Sequence, residues 1–417
     1  MLSFINCSEE RDRFQVVPIP VPIENFEAAG VVKLWCVRVN HLFYVLKGDE
    51  NLYTCCVNTS PSVPFKSIKI VLASSLRTLL SVRSNHVVLI FDDGSIRTLH
   101  FVPEDGWVED VTFKLPVDAT CTVEYASSST SSSLYWIQRS TQFPDEVGYS
   151  LWKCSFSSDR DELPSTQCLA HRLPAFQLYV LRHTVIIIPS LPDPSNVYLV
   201  FGSAHDLKMG SLAKQVVLLT TTLSSPLDVA TFYKRHIRFW QMQTHATLVL
   251  HGCVSPLASC LYLLLKDSTV VMLSSSGEVL WRVALQEVPP HIVGCGVMAS
   301  TLCLFEDSAV QLYDLTEGTL LEEVTLQGTF CGVLPSLWAF WTTNGVYRLS
   351  VSGNTWYRNS PGQLQSEALV YAAWHAGAET VPRFPTDAQV RTKLNRILHP
   401  LVECYCKLQQ TKVALTS

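Results

Sequence analysis

The sequence predicts a mainly β protein: a propeller of about seven blades over residues 1–360, followed by a short α-helical C-terminal segment over residues 361–417. Three observations carry this. A strand–turn–strand unit returns about forty residues after itself, weaker copies recur along the chain, and past about residue 362 the rhythm of short apolar runs gives way to helical spacing.

The clearest pair of units is "LLLKDSTVVMLSSSGEVLWRV" and "CLFEDSAVQLYDLTEGTLLEEV", in which Asp267-Ser268 matches Asp307-Ser308 and Gly277 matches Gly318 with one residue inserted. Each unit reads strand, polar turn, strand, glycine turn, strand. The Asp-Ser turns supply side chains that bond their own backbone, and the later glycine tolerates positive φ in a hairpin. Between them, Thr269–Leu273 and Ala309–Tyr313 are strand-length runs rich in β-branched or large apolar residues.

Weaker copies extend the series in order. They are "LFYVLKGDENLYTCCV" at 42–57, "VVLIFDDGSIRTLHF" at 87–101, "LYWIQRSTQFPDEVGYSLWKCSF" at 134–156, "NVYLVFGSAHDLKMG" at 196–210 and "FWTTNGVYRLSV" at 340–351. Several short strands per period of about forty is the spelling of propeller blades, and seven lies within their usual number.

The units resemble degenerate WD40-like or quinoprotein-like blades. "LYDLTEGTLLEEV" has the Tyr-Asp, glycine and following strand of the first type, and "SSGEVLWRV" has the glycine and Trp281 of the second. The resemblance spans roughly residues 30–360, and no unit carries a Gly-His pair or a closing Trp-Asp pair. "SGNTWYRN" is similar to the end of a sialidase Asp box, with Val351 where the aspartate would stand.

Four stretches depart from the blade rhythm. "ASSSTSSS" at 126–133 reads as a solvated polar loop and "PSLPDPSN" at 189–196 as a proline-rich connector. "SPLDVATFYKRHIRFWQ" at 225–241 reads as a helix inserted between blades, with Ser225 as N-cap, Pro226 at the first helical position, and Lys234, Arg235, His236 and Arg238 as the one notable basic cluster. "HATLVLHGCVSPLASCLYLLL" at 245–265 has the length of a membrane span without Asp, Glu, Lys or Arg, but its Gly252, Ser255 and Pro256 divide it into two strand-length pieces.

The tail changes class. Thr386-Asp387-Ala388-Gln389 spells a capping box, and Val390, Leu394, Ile397, Leu401, Tyr405 and Leu408 follow at steps of three and four. Leu398 and Val402 widen that stripe, and Pro400 predicts a kink. A second helix is expected over about 365–378. The eight apolar residues form the expected partner-binding face, with packing against the chain's own propeller as the alternative.

Composition narrows the function. The chain is 47% hydrophobic and 16% charged with mean hydropathy +0.20, which predicts a large core and surface that seeks partners. A net charge of −5 and no Lys or Arg run longer than a pair argue against an electrostatic nucleic-acid groove. "MLSFINCSEERDRF" lacks the pattern of a secretory signal, so the 14 cysteines read as reduced thiols and the sequons at Asn6 and Asn58 as chance.

No phosphate loop, dinucleotide fingerprint, nucleophile elbow or zincin helix occurs, and no cysteine pair has zinc-knuckle spacing. Cys404 and Cys406 lie two apart on the expected helix, where they do not face one site. Asp92-Asp93, Asp159, Asp161 and Glu322-Glu323 read as turn and surface charges. No catalytic residue, cofactor or metal is therefore expected.

The expected function is a non-enzymatic scaffold or adaptor subunit of an intracellular multiprotein complex, bound to other protein subunits through its propeller surface and C-terminal helix. By analogy of architecture the context is vesicle or endolysosomal trafficking. Neither a small-molecule substrate nor direct nucleic-acid binding is expected, and membrane contact is peripheral at most. The alternatives are a nuclear DNA-repair core-complex scaffold and a propeller enzyme or sugar-binding module working in the central channel. The missing basic run favours the cytoplasm over the nucleus.

Overall fold

The computed structural model describes residues 13–23, 26–37, 41–57, 69–71, 76–83, 86–102, 106–117, 121–128, 133–140, 148–155, 165–174, 176–181, 184–189, 197–202, 206–212, 216–236, 249–254, 260–298, 301–315, 317–334 and 339–352. They form seven sheets of four or five strands with two short helices, the arrangement of a seven-bladed propeller.

The chain opens with β1 (Arg13–Ile19) and α1 (Phe26–Ala29). Blade 1 is β2 (Val31–Val37), β3 (His41–Leu46), β4 (Asn51–Cys56) and β5 (Lys69–Val71). Blade 2 is β6 (Leu76–Arg83), β7 (His86–Phe91), β8 (Ser95–Val102) and β9 (Gly106–Lys114). Blade 3 holds β10 (Cys121–Ser128), β11 (Ser133–Ser140), β12 (Tyr149–Ser155) and β13 (Ser165–Leu173). Blade 4 is a five-strand meander of β14 (Phe176–Val180), β15 (Val185–Pro189), β16 (Val197–Phe201), β17 (Asp206–Ser211) and β18 (Val216–Thr222).

The chain then returns to blade 3. There β19 (Leu227–Asp228) lies parallel to β13 and leads into α2 (Val229–His236). Blade 5 is β20 (Val249–Val254), β21 (Cys260–Leu265), β22 (Thr269–Ser274) and β23 (Val279–Ala284). Blade 6 is β24 (Gly294–Met298), β25 (Thr301–Phe305), β26 (Ala309–Asp314) and β27 (Leu320–Thr325). Blade 7 is β28 (Phe330–Leu334), β29 (Ala339–Thr342) and β30 (Gly345–Ser352), completed by β1.

All seven stretches read from the sequence as units fall on hairpins of these sheets, one per blade. The Asp-Ser turn works as its spelling requires: Asp267 Oδ1 accepts the Thr269 N–H at 3.1 Å, and Ser268 takes a left-handed φ of 61°. The candidate membrane stretch is split between β20 and β21, and no described helix is long and apolar enough to cross a membrane.

Two compact units divide the chain. The larger comprises Val21–Val254 and Ala258–Arg282, and the smaller Met1–Pro20, Ser255–Leu257 and Val283–Ser417. Within the larger unit, apolar clusters fill the spaces between successive blades. Phe43, Leu79 and Trp107 pack between blades 1 and 2, Ile90, Leu134 and Trp136 between 2 and 3, Leu151, Ile187 and Leu199 between 3 and 4, and Ile186, Tyr198 and Leu263 between 4 and 5.

This explains why inner strands such as β16, β21 and β25 are buried at every position and read as unbroken apolar runs, whereas β27 alternates half-buried and exposed residues. Each such side chain contributes about 1.5–3 kcal/mol through burial. In the smaller unit, Phe305, Phe340 and Tyr347 join blades 6 and 7. There β1 pairs with β30 from Arg13↔Ser352 to Ile19↔Val346, and the Phe14 N–H donates to Glu322 Oε2 at 2.6 Å.

The helix expected over 225–241 is corrected at its start. Leu227 and Asp228 are held extended by pairing with Ala170 and His171, so neither Ser225 nor Pro226 enters the helix. Asp228 is the cap: its Oδ1 accepts the Thr231 N–H at 3.0 Å and its Oδ2 the Thr231 hydroxyl at 2.9 Å, while Arg172 donates to Oδ2 at 2.9 Å. Val229 and Tyr233, one helical turn apart, are the buried face of α2. The expected C-terminal helices lie outside the described residues, as does residue 237 onward in the inserted helix.

Candidate functional site

Register places three side chains in one row across blade 3. Tyr135 on β11 faces Lys153 on β12, which faces Gln167 on β13. The Lys153 ammonium lies 5.9 Å from the centre of the Tyr135 ring. Opposite this row, β16 ends at Phe201 and the chain turns through Gly202 to Asp206, where the Gly202 N–H donates to the Asp206 carbonyl at 2.7 Å. The strap Leu223–Pro226 runs between the two blades toward β19.

Together these residues, with Cys168 and Leu169, line a cleft of about 440 Å³, within the usual range for ligand sites. Tyr135 and Phe201 are buried aromatics, whereas Lys153 is half-buried and Asp206 exposed. The Thr222 hydroxyl donates to Asp206 Oδ1 at 3.4 Å. None of the ion pairs among the described residues uses Lys153.

The lining suits binding more than chemistry. Burial pushes the Tyr135 phenol up to about 12, so it stays protonated near neutrality and serves as a hydrogen-bonding group rather than a base. Burial also raises the Cys168 thiol, whose Sγ–H donates to the Ala170 carbonyl at 3.5 Å, so little of it is the nucleophilic thiolate.

The residues singled out in the sequence fall elsewhere. Val390, Leu394, Ile397, Leu398, Leu401, Val402, Tyr405 and Leu408 lie outside the described residues, as do Asp159 and Asp161. Lys234, Arg235 and His236 occupy the last turn of α2, where positive charge suits the helix dipole. Asp92 pairs with Arg77 at 2.9 Å, Asp93 accepts the Ser95 N–H at 2.9 Å, and Glu323 accepts from Gln311 Nε2 at 3.1 Å, so these acids serve turns and surface pairs. No group of His, Cys, Asp or Glu among the described residues is placed to hold a metal.

Sequence reasoning missed the cleft. Its residues come from two sheets and a strap spread over positions 135–226, and no linear motif joins them. Two local signals were present: Lys153 is the one charged residue of the strand "YSLWKCS", and Ser225-Pro226 follows the threonine run of β18.

No protein-family model and no curated protein matches the chain. Among solved structures, Sqt1 of Saccharomyces cerevisiae is 9% identical with a TM-score of 0.43, covering 81% of this chain and 99% of that one. Hsv2 of Kluyvelomyces marxianus is 12% identical with a TM-score of 0.40, covering 71% and 86%. Sqt1 of Chaetomium thermophilum, bound to the N-terminus of ribosomal protein L10, is 13% identical with a TM-score of 0.43, covering 80% and 99%. Likeness of this degree says nothing about what the present chain binds.

Proposed function

We propose that this chain is a non-enzymatic scaffold or adaptor that binds other proteins and acts as a subunit of an intracellular complex. The observation that carries the reading is the cleft, where two buried aromatics, one of them a phenol held protonated, meet an ammonium outside any described ion pair, beside a thiol that is also held protonated. Within the larger unit, which holds the cleft, blades packed through apolar clusters supply a support of the kind such surfaces need. The apolar stripe from Val390 to Leu408 is a second proposed contact, because the sequence sets these residues at helical spacing, the pattern of a partner-binding stripe. A role in vesicle or endolysosomal trafficking in the cytoplasm is the finer proposal, supported by architectural analogy and the lack of a basic run.

The test is affinity purification of the full chain from cells beside a version ending near residue 380, with stoichiometry and native mass measured. Partners at fixed stoichiometry are expected, and those held by the tail are lost on truncation. A monomer in both preparations overturns the reading.

A further inference from the structure

The ladder between β13 and the strap stops after two residues. Ala170 and His171 pair in parallel with Leu227 and Asp228, whereas the residues just upstream on each side, Gln167–Leu169 and Leu223–Pro226, line the cleft. Pro226 gives the physical reason. It has no N–H to donate to a ladder, so pairing ends at Leu227. The two segments fork, and the cleft lies in the opening.

One wall of this fork already accepts an extended neighbour at Ala170 and His171. Lys153 and Tyr135 lie side by side across the strands, so an extended segment that enters the fork and crosses this row, its side chains two residues apart sharing a face, can set one at Lys153 and the next but one at Tyr135 and Phe201. A free inorganic anion would use the ammonium but neither the aromatic floor nor the strand-like wall. In a chain of net charge −5, an ammonium in no described ion pair at a cleft calls for a carboxylate from outside. Asp206 on the opposite wall repels a uniformly acidic segment and so restricts where that carboxylate can stand.

We propose that the fork between β13 and the 223–226 strap receives an extended segment of a partner protein, with a carboxylate side chain on Lys153 Nζ and the side chain two residues along against Tyr135 and Phe201. The proposal rests on the protein-binding reading and adds the chemistry of what is bound.

The experiment uses the full chain and two fluorescent nine-residue probes of alternating serine and threonine with a central tryptophan. One probe has glutamate two residues after the tryptophan, and its twin has lysine there. By anisotropy the glutamate probe saturates and the lysine probe binds at least about tenfold more weakly. Lys153→Glu reverses that order, and Lys153→Arg, which keeps the charge, preserves it. Lys153→Arg keeps the cation over the Tyr135 ring and melts with the wild type, Lys153→Glu gives it up and melts slightly lower, and binding is compared well below either transition. Equal binding of the two probes, or an order that Lys153→Glu leaves unchanged, overturns the fork even if the chain co-purifies partners. Selectivity kept by a chain that recruits no partner supports the fork and counts against the scaffold reading alone.

Discussion

Three glycines share a left-handed backbone but meet different surroundings, and alanine at each separates backbone strain from steric clash. Gly48 has φ +75° and nothing within 4 Å of an added Cβ. Gly277 has φ +79°, and its Cβ would sit 2.4 Å from Val200 Cγ2, whereas Gly318 has φ +72° and its Cβ would sit 2.1 Å from the Ala284 carbonyl oxygen. The left-handed conformation alone costs about 1–2 kcal/mol for alanine, so that is the expected loss at Gly48. Overpacking against the buried Val200 methyl adds about 1–3 kcal/mol at Gly277.

At Gly318 the obstacle is backbone, and moving it also disturbs the Gln286 N–H bond to the Gly318 carbonyl at 3.0 Å. The loss there should exceed that at Gly277. Calorimetry of the purified variants should rank them Gly48, Gly277, Gly318 in increasing damage, at roughly 2–4 °C per kcal/mol for units of this size. In a Val200→Ala background the cost of Gly277→Ala should fall by about 1 kcal/mol or more, since the methyl it strikes is gone. Equal losses at all three sites, or no relief from Val200→Ala, would refute the steric argument.

Tyr198→Phe should cost about 1–2 kcal/mol, because the buried hydroxyl donates to the Gly277 carbonyl at 2.7 Å. Tyr233→Phe should be neutral or stabilising by up to about 1 kcal/mol, since the buried Tyr233 hydroxyl has no hydrogen-bond partner among the described residues; urea midpoints of the two variants give the comparison. Asp228→Ala should destabilise by about 1 kcal/mol and Asp228→Asn by less, read from the same curves, because asparagine still caps.

The Thr231 N–H, then the Thr231 hydroxyl and Arg172, hold the Asp228 carboxyl below its usual range. Its stabilisation is therefore present above the unfolded value near pH 4 and is lost as pH falls through the lower folded value, a loss absent from the Asp228→Ala acid titration. Cys55 and Cys154, pushed to about 12 by burial, should resist a thiol reagent in the native chain at pH 8, with the exposed Cys331 labelled ahead of them by peptide mapping.

The blades could be read from the sequence because their turns are local. Asp267 bonds its neighbour two residues on, and Gly277 and Gly318 occupy turns that require positive φ, so each hairpin carries its instruction within about twenty residues. Long-range pairings left little trace. β1 has Pro18 inside it and its partner strand lies at the far end of the described chain, while β19 is two residues long and parallel to a strand more than fifty positions earlier. Pro226 was seen but assigned to a helix start, because proline serves a first helical turn and a ladder end equally well; the choice is made by tertiary pairing at Leu227. The cleft needed the registers of two sheets at once, and Lys153 was its only conspicuous member.

The pairing of β1 with β30 also sets an order of events in time. During synthesis Arg13–Ile19 emerges first and its partner Gly345–Ser352 more than three hundred residues later. At roughly 5–20 residues per second the wait is on the order of 20–60 s. Throughout it, a β-forming segment has to be kept from other strand edges, a task that Pro18 eases by blunting one side of it. A chain interrupted anywhere before β30 leaves β1 without its partner strand, so an incomplete product carries an exposed mark in a segment made before the break.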